Sequence, residues 1–390
     1  MKSRKLSRKR QRATIVTAAA ASVVAGAALL PNWSAGAAGV AADPTVDAAT
    51  KATFQRLADA VFTDRTDALV DKGTGKRKTS RFSGDVRLSS TQSRAEKSAL
   101  SQLKGRKARL AQLGEKYRAG NTSVSLDRTR VKGRHATVTV TETTTLTYDK
   151  SKGTEPKTTG FQAHHTLTFK ADRKGDWQLT GVRDTDDGVA VNQVATTPLV
   201  TAPKTADDGP PSAPRSAITK NPAAKPKALS GTGYDYQAMV AYAAKYWKNY
   251  NPAYPDFNGE GAGGDCTNFV SQSLKAGGWK HVPGYTNDFH NWFGTADIQS
   301  DSFIGVNEFS WFALSSKRVT SLANVYQMDL GDVLQMDFNK DGSKDHSMIV
   351  TYRSPQGVPY LSYHSTNTYN RSVASIIASY PNAAYYAYRT

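Results

Sequence analysis

The sequence predicts an α+β protein of two unlike segments joined by a proline-rich stretch. Three observations carry this. Apolar residues recur first at spacings of three and four and then at spacings of two, so helices give way to half-buried strands. The charge is uneven: residues 45–200 carry a net +11, residues 201–229 +3 and residues 230–390 −2. Residues 201–229 hold six prolines and almost no large apolar side chain, a composition that reads as an extended linker.

The chain is 390 residues long, a length that suits two domains. It opens with seven Lys/Arg and no acid in residues 1–12, then an Ala- and Val-rich apolar run over 13–31, then small residues to Ala42. That order is the layout of a secretory signal peptide, too short and Ala-rich for a membrane anchor. Residues 1–42 are therefore expected to be removed. The rest is expected to be secreted or associated with the cell wall, with no lasting membrane association. A single cysteine, Cys266, excludes a disulfide scaffold and every Cys-rich metal site.

In residues 45–200, Phe54, Leu57, Ala58, Val61 and Phe62 fall on one side of a helix. A second, basic helix is expected within Gln92–Arg118. Ala136, Val138, Val140, Leu146 and Tyr148 then share one parity, with threonines between them, as in a half-buried strand. Phe161 to Phe169 repeats that pattern, and Trp177 begins a third strand after a polar turn. His164 and His165, adjacent on a strand, face opposite sides and make a poor metal pair. The segment reads as a small α+β domain whose sequence offers no chemistry. Its basic surface could hold anionic wall polymers.

Residues 230–390 hold the chemistry-bearing residues. Asp235 caps an expected helix with an apolar stripe running from Met239 to Tyr250. A glycine-rich loop, 259–264, leads to Asp265-Cys266-Thr267-Asn268, and an unbroken helical stretch ends at Gly277-Gly278. With Asp265 as N-cap, Cys266 sits in the first turn. There the unsatisfied N–H groups and the helix dipole favour a thiolate and can receive an oxyanion. A thiol nucleophile needs a base. His346 opens an expected strand after the turn 339–344, and His364 ends the next one. The arrangement expected is Cys266 attacking, His346 moving the proton, and His364 orienting His346, with Asn367 as the competing orienter.

The segments Asp265-Cys266-Thr267-Asn268-Phe269-Val270-Ser271-Gln272, Gly331-Asp332-Val333 and Asp345-His346-Ser347-Met348-Ile349-Val350 resemble the putative amidase domain family of secreted bacterial proteins. That family is related to the NlpC-type and CHAP-type cell-wall cysteine hydrolases. The resemblance covers about residues 234–390. It implies a papain-like domain with a nucleophile helix on a small antiparallel sheet that carries the histidine. It implies a tyrosine near the oxyanion site, for which Tyr254 is the nearest match by position, and it supports a histidine, His364, as third polar residue.

Together these readings predict a secreted cysteine amidase or peptidase that cuts amide bonds of bacterial peptidoglycan through a thioester, with no metal or organic cofactor. The alternatives are a non-catalytic wall-binding protein that keeps the fold, or a Cys-dependent acyl transferase using the same residues. Nucleic acid is not an expected partner, because the positive charge avoids the aromatic-rich segment. Asp337, Asn339, Asp341, Gly342, Ser343 and Asp345 follow a calcium-loop spacing, but Met348 stands where the bidentate carboxylate is needed. The stretch reads as a polar hairpin turn.

Overall fold

The structure, a computed structural model, describes residues 46–71, 87–186, 190–194, 210, 213–220, 225–258 and 264–390. The expected signal segment 1–42 lies outside them, as do most of the expected linker and residues 259–263 of the glycine-rich loop.

Two helices come first. Helix α1 (Ala48–Asp67) is capped by Asp47, whose carboxylate accepts from the Thr50 N–H at 2.8 Å. Helix α2 (Ser90–Gln112) is capped by Ser89 in the same way. Each cap is worth about 1 kcal/mol. Four antiparallel strands follow: β1 (Tyr117–Lys132), β2 (His135–Tyr148), β3 (Thr158–Ala171) and β4 (Trp177–Asp184). The expected parity holds on β2 and β3. Val138, Val140, Leu167 and Phe169 are buried and pack with Phe54, Leu57, Val61 and Phe62 of α1, and Phe161 clusters with Leu103 and Leu110 of α2. At about 1.5–3 kcal/mol per buried large apolar side chain, this interface holds the helices to the sheet.

Strand β1 was not expected. Its outward residues Ser123, Ser125, Arg128 and Arg130 are exposed, and a bulge between Leu126 and Arg128 breaks the alternation that would announce it.

The second segment supplies helices α3 (Tyr236–Tyr246), α4 (Cys266–Ala276), α5 (Asp301–Ile304), α6 (Val306–Ser315) and α7 (Val373–Ser379). Its strands are β5 (Thr320–Leu322), β6 (Val333–Asp337), β7 (His346–Arg353), β8 (Pro359–Tyr363), β9 (Asn367–Ser372) and β10 (Ala384–Arg389).

The small sheet expected for this segment is part of something larger. All ten strands form one sheet in the order β1-β2-β3-β9-β8-β7-β6-β10-β5, with β4 on β3. The seam is β3 against β9, where Gly160, Phe161 and Gln162 pair with Tyr369, Thr368 and Asn367. A Cβ on Gly160 would stand 2.7 Å from both the Thr144 carbonyl oxygen and a ring carbon of Tyr369, so the crossing requires a glycine. Side chains reinforce the seam. The Tyr148 hydroxyl donates to the Asn370 carbonyl at 2.8 Å and accepts from the Ser372 N–H, and the Tyr117 hydroxyl donates to Ser375 Oγ. The two charge-distinct segments therefore share one β-sheet.

Parts of the expected linker are docked as well. The Ser216 N–H donates to the Tyr385 carbonyl, and the Lys227 ammonium donates to Asp332, Thr390 and the Leu330 carbonyl.

Pairing and packing assign the two sheet faces. Helices α1, α2 and α7 cover one, together with Met348, Val350, Leu361 and Tyr363. Helices α3, α4 and α6 cover the other over β6, β7 and β10, together with Val333, Ile349, Tyr386 and Tyr388.

Candidate active site

Gly264 takes φ 88°, a left-handed turn that delivers the chain into α4 with Cys266 as its first residue. Cys266 is 3% exposed, and its Sγ lies 3.8 Å from Thr267 Oγ1. Asp265 stands at the N-cap position, but its side chain does not cap. The carboxylate is fully buried. One oxygen accepts from the Phe257 N–H and from Asn268 Nδ2, and the other meets His364 Nδ1 at 2.6 Å.

His364 is held on every side. Its Nε2 lies 2.7 Å from the Tyr246 carbonyl oxygen, and its ring packs between Tyr250 and Phe269 at centroid distances of 4.0 and 4.1 Å. Both nitrogens face acceptors, so a ring carrying both protons satisfies the site. The β8–β9 turn puts it there. Ser365 and Thr366 both take positive φ, as a tight primed turn requires, and for a β-branched residue such as Thr366 that is a strained conformation. Ser365 Oγ accepts from the Asp265 N–H at 3.0 Å and donates to Asn258 Oδ1. Asn367 accepts from the Tyr250 hydroxyl at 2.6 Å. Burial, then Asp265 and Asp256, push the Tyr250 phenol up, keeping it a neutral donor.

Of the residues singled out in the sequence, Asp265 and His364 come together, with Cys266 next to Asp265 in the chain and Asn367 one link away through Tyr250. His346 does not join them. Thr267 Oγ1 lies 2.9 Å from Ser347 Oγ, so α4 packs on the Ser347 face of β7. The neighbouring His346 necessarily points to the opposite face. There it lies beneath α7, with its ring 5.0 Å from that of Tyr363 and 6.4 Å from that of Phe338. Burial, then the Arg371 guanidinium, push it down to about 3, so it is neutral at ordinary pH. The sheet separates it from Cys266. His364 consequently does not orient His346 either; its own orienting carboxylate is Asp265.

Tyr254 meets a side chain from the last turn of α4. Its hydroxyl accepts from Lys275 Nζ at 2.9 Å and its ring stacks on Phe303. Lys275 is nine residues beyond Cys266, about 13 Å along the helix axis. The residues that sequence reasoning missed are Tyr250, Asn258 and Ser365. Tyr250 had been absorbed into an apolar stripe, and nothing local marks the other two.

In the turn 337–345, both Asp337 oxygens accept backbone N–H groups, from Lys340 and Gly342. Asp345 accepts from Phe338 N–H, and its carboxyl is pushed up to about 6 by burial. Among the described residues no group of three or more His, Cys, Asp or Glu could hold a metal ion.

Comparison with known proteins finds matches over the C-terminal part of the chain. Residues 233–388 match the family described as Putative amidase domain. Two Bacillus subtilis (strain 168) proteins, both named as uncharacterized, are similar. YhbB is 30% identical over 155 residues, covering 36% of this chain and 48% of that protein. YjcM is 32% identical over 153 residues, covering 37% and 34%. The chain thus spans half or less of these relatives' lengths. A solved structure, the intermembrane space region of chloroplast protein ARC6, aligns at 19% identity with a TM-score of 0.22. It covers 36% of this chain and 98% of that one. Asp265, Cys266, His346 and His364 all lie inside the matched residues, and the matched family's description names an amidase.

Proposed function

We propose that the segment 233–388, which matches the amidase family, hydrolyses amide bonds of bacterial peptidoglycan through a thioester on Cys266, after export of the chain. The observation that carries the reading is the 2.6 Å pairing of His364 with Asp265, the residue directly before Cys266. A carboxylate on Nδ1 fixes an imidazole so that Nε2 is its working nitrogen. In the resting arrangement Nε2 is held by the Tyr246 carbonyl.

In this scheme Nε2 exchanges that carbonyl for the reacting groups. The Cys266 thiolate adds to the amide carbon, and the first N–H groups of α4 receive the oxyanion. His364 gives its Nε2 proton to the leaving amine as the C–N bond breaks. It then takes a proton from the water that attacks the thioester, releasing the acid and Cys266. The steps need no metal or organic cofactor. The basic start and apolar run of residues 1–31 support the export part of the reading.

The test is mass spectrometry of fragments released from defined peptidoglycan. Release by the wild type and not by Cys266→Ser is the expected result; equal release by both contradicts the scheme.

A second reading has its own support. Cys266 is 3% exposed and both nitrogens of His364 are occupied, which suits a wall-binding protein that retains the fold without turnover. Retention on sacculi by Cys266→Ala, with no fragments from the wild type, is its signature.

A further inference from the structure

The seam between β3 and β9 has a consequence for the first four strands. Paired residues share a face, so Gln162, opposite Asn367, lies on the same side of the sheet as the candidate site. Following that side outward through the pairing gives His164, Thr166, Thr168 and Lys170 on β3. Next come Thr137, Thr139, Thr141, Thr143 and Thr145 on β2, then Ser123, Ser125, Arg128, Arg130 and Lys132 on β1. Arg183 of β4, opposite Thr166, joins them. None of these side chains is buried, and no helix of the described residues covers them.

The surface is hydroxyl-rich over its centre and cationic at one end. Arg128, Arg130 and Lys132 alternate along β1, each about 6.8 Å from the next. Asp127, the acid beside them, is occupied by hydrogen bonds from Thr141 and Ser125. Asp186 is held by His164 at 3.1 Å.

We propose that this face docks a linear polyol-phosphate polymer: phosphodiesters meet Arg128, Lys132 and Lys170, and free hydroxyls meet the threonine rows. Charge complementarity and continuity with the candidate site argue for it. An open sheet face lined by hydroxyls suits a flexible polyol better than a stiff, groove-bearing duplex. The face takes no part in the chemistry at Cys266, so it stands or falls independently of the hydrolase reading.

The test is a binding titration of the full chain as Cys266→Ala with poly(glycerol phosphate) at 0.05 M and 0.2 M salt. The triple variant Arg128→Ser/Lys132→Ser/Lys170→Ser is expected to weaken Kd about tenfold at the lower salt and to flatten the salt dependence. A control triple on α2, Arg94→Ser/Lys97→Ser/Lys104→Ser, removes the same charge from the helical side and is expected to change Kd less than about twofold. All six side chains are exposed, and matched thermal melts confirm that both triples fold. Equal weakening by both triples, no measurable binding by the parent, or equally tight binding to duplex DNA of matched phosphate content each overturns the proposal.

Discussion

Thr267 Oγ1 and Ser347 Oγ lie 2.9 Å apart, and this contact decides which histidine shares a sheet face with Cys266. Ser347 also accepts from Gln335 Nε2, so its orientation is fixed from two sides. The residue before it must then face α7. The choice between His346 and His364 is therefore one of strand parity.

Tyr254→Phe removes a hydroxyl that is engaged by Lys275 near the far end of α4. Amide turnover should stay within about threefold of wild type, with the loss of a half-buried hydrogen bond worth about 1 kcal/mol of stability. A fall in kcat of a hundredfold would place the tyrosine at the oxyanion after all.

Gly160→Val should damage both segments at once. Its side chain meets the Thr144 carbonyl and the Tyr369 ring, and separating β3 from β9 opens the sheet at its seam. Overpacking of this kind typically costs about 1–3 kcal/mol. Thermal unfolding followed by tryptophan fluorescence, with Trp177 in one segment and Trp279 and Trp292 in the other, should show one transition in the wild type and a lowered or divided one in the variant. An unchanged melt would mean the seam contributes nothing.

His165 gives the protein an alkaline limb. Burial alone would push its pKa down, but hydrogen bonds to Asp184 and Glu142 outweigh this and raise it to about 9. Around it stand Glu142, Asp184 and Arg65, with Phe62 stacked on its ring. A raised folded-state pKa means stability that is complete below about 6.5 and lost as pH rises through 9. The loss is on the order of 2–3 kcal/mol. Urea midpoints between pH 6.5 and 9.5 should fall in the wild type and stay flat in His165→Gln; parallel curves would contradict this.

Much of this was legible in the sequence, and the failures have physical causes. The helix around Phe54–Phe62 and the strands at Val138 and Leu167 face water on one side, so their periods show. The Cys266 helix shows through its glycine entry and Gly277-Gly278 exit. Strand β7 is different: Ser347, Met348, Ile349 and Val350 are all buried, so nothing in composition distinguishes its two faces. That is why the sequence pairs His346 with Cys266 although α4 packs on the opposite face of β7. The β3–β9 seam was invisible because pairing over two hundred residues leaves no local pattern; Gly160 between Thr159 and Phe161 was its only trace. Tyr254 matched by position in a loop whose length sequence alone could not register.

The central claim is that Cys266 works with His364 and Asp265, and that His346 is structural. Its most direct measurement is kcat/KM for amide release by His364→Ala and His346→Leu, each corrected for the folded fraction. The account predicts a loss of about 10²–10⁴-fold for His364→Ala, the usual range for a general acid–base, and less than about threefold for His346→Leu. The reverse ranking, with His346→Leu inactive and His364→Ala active, would contradict it.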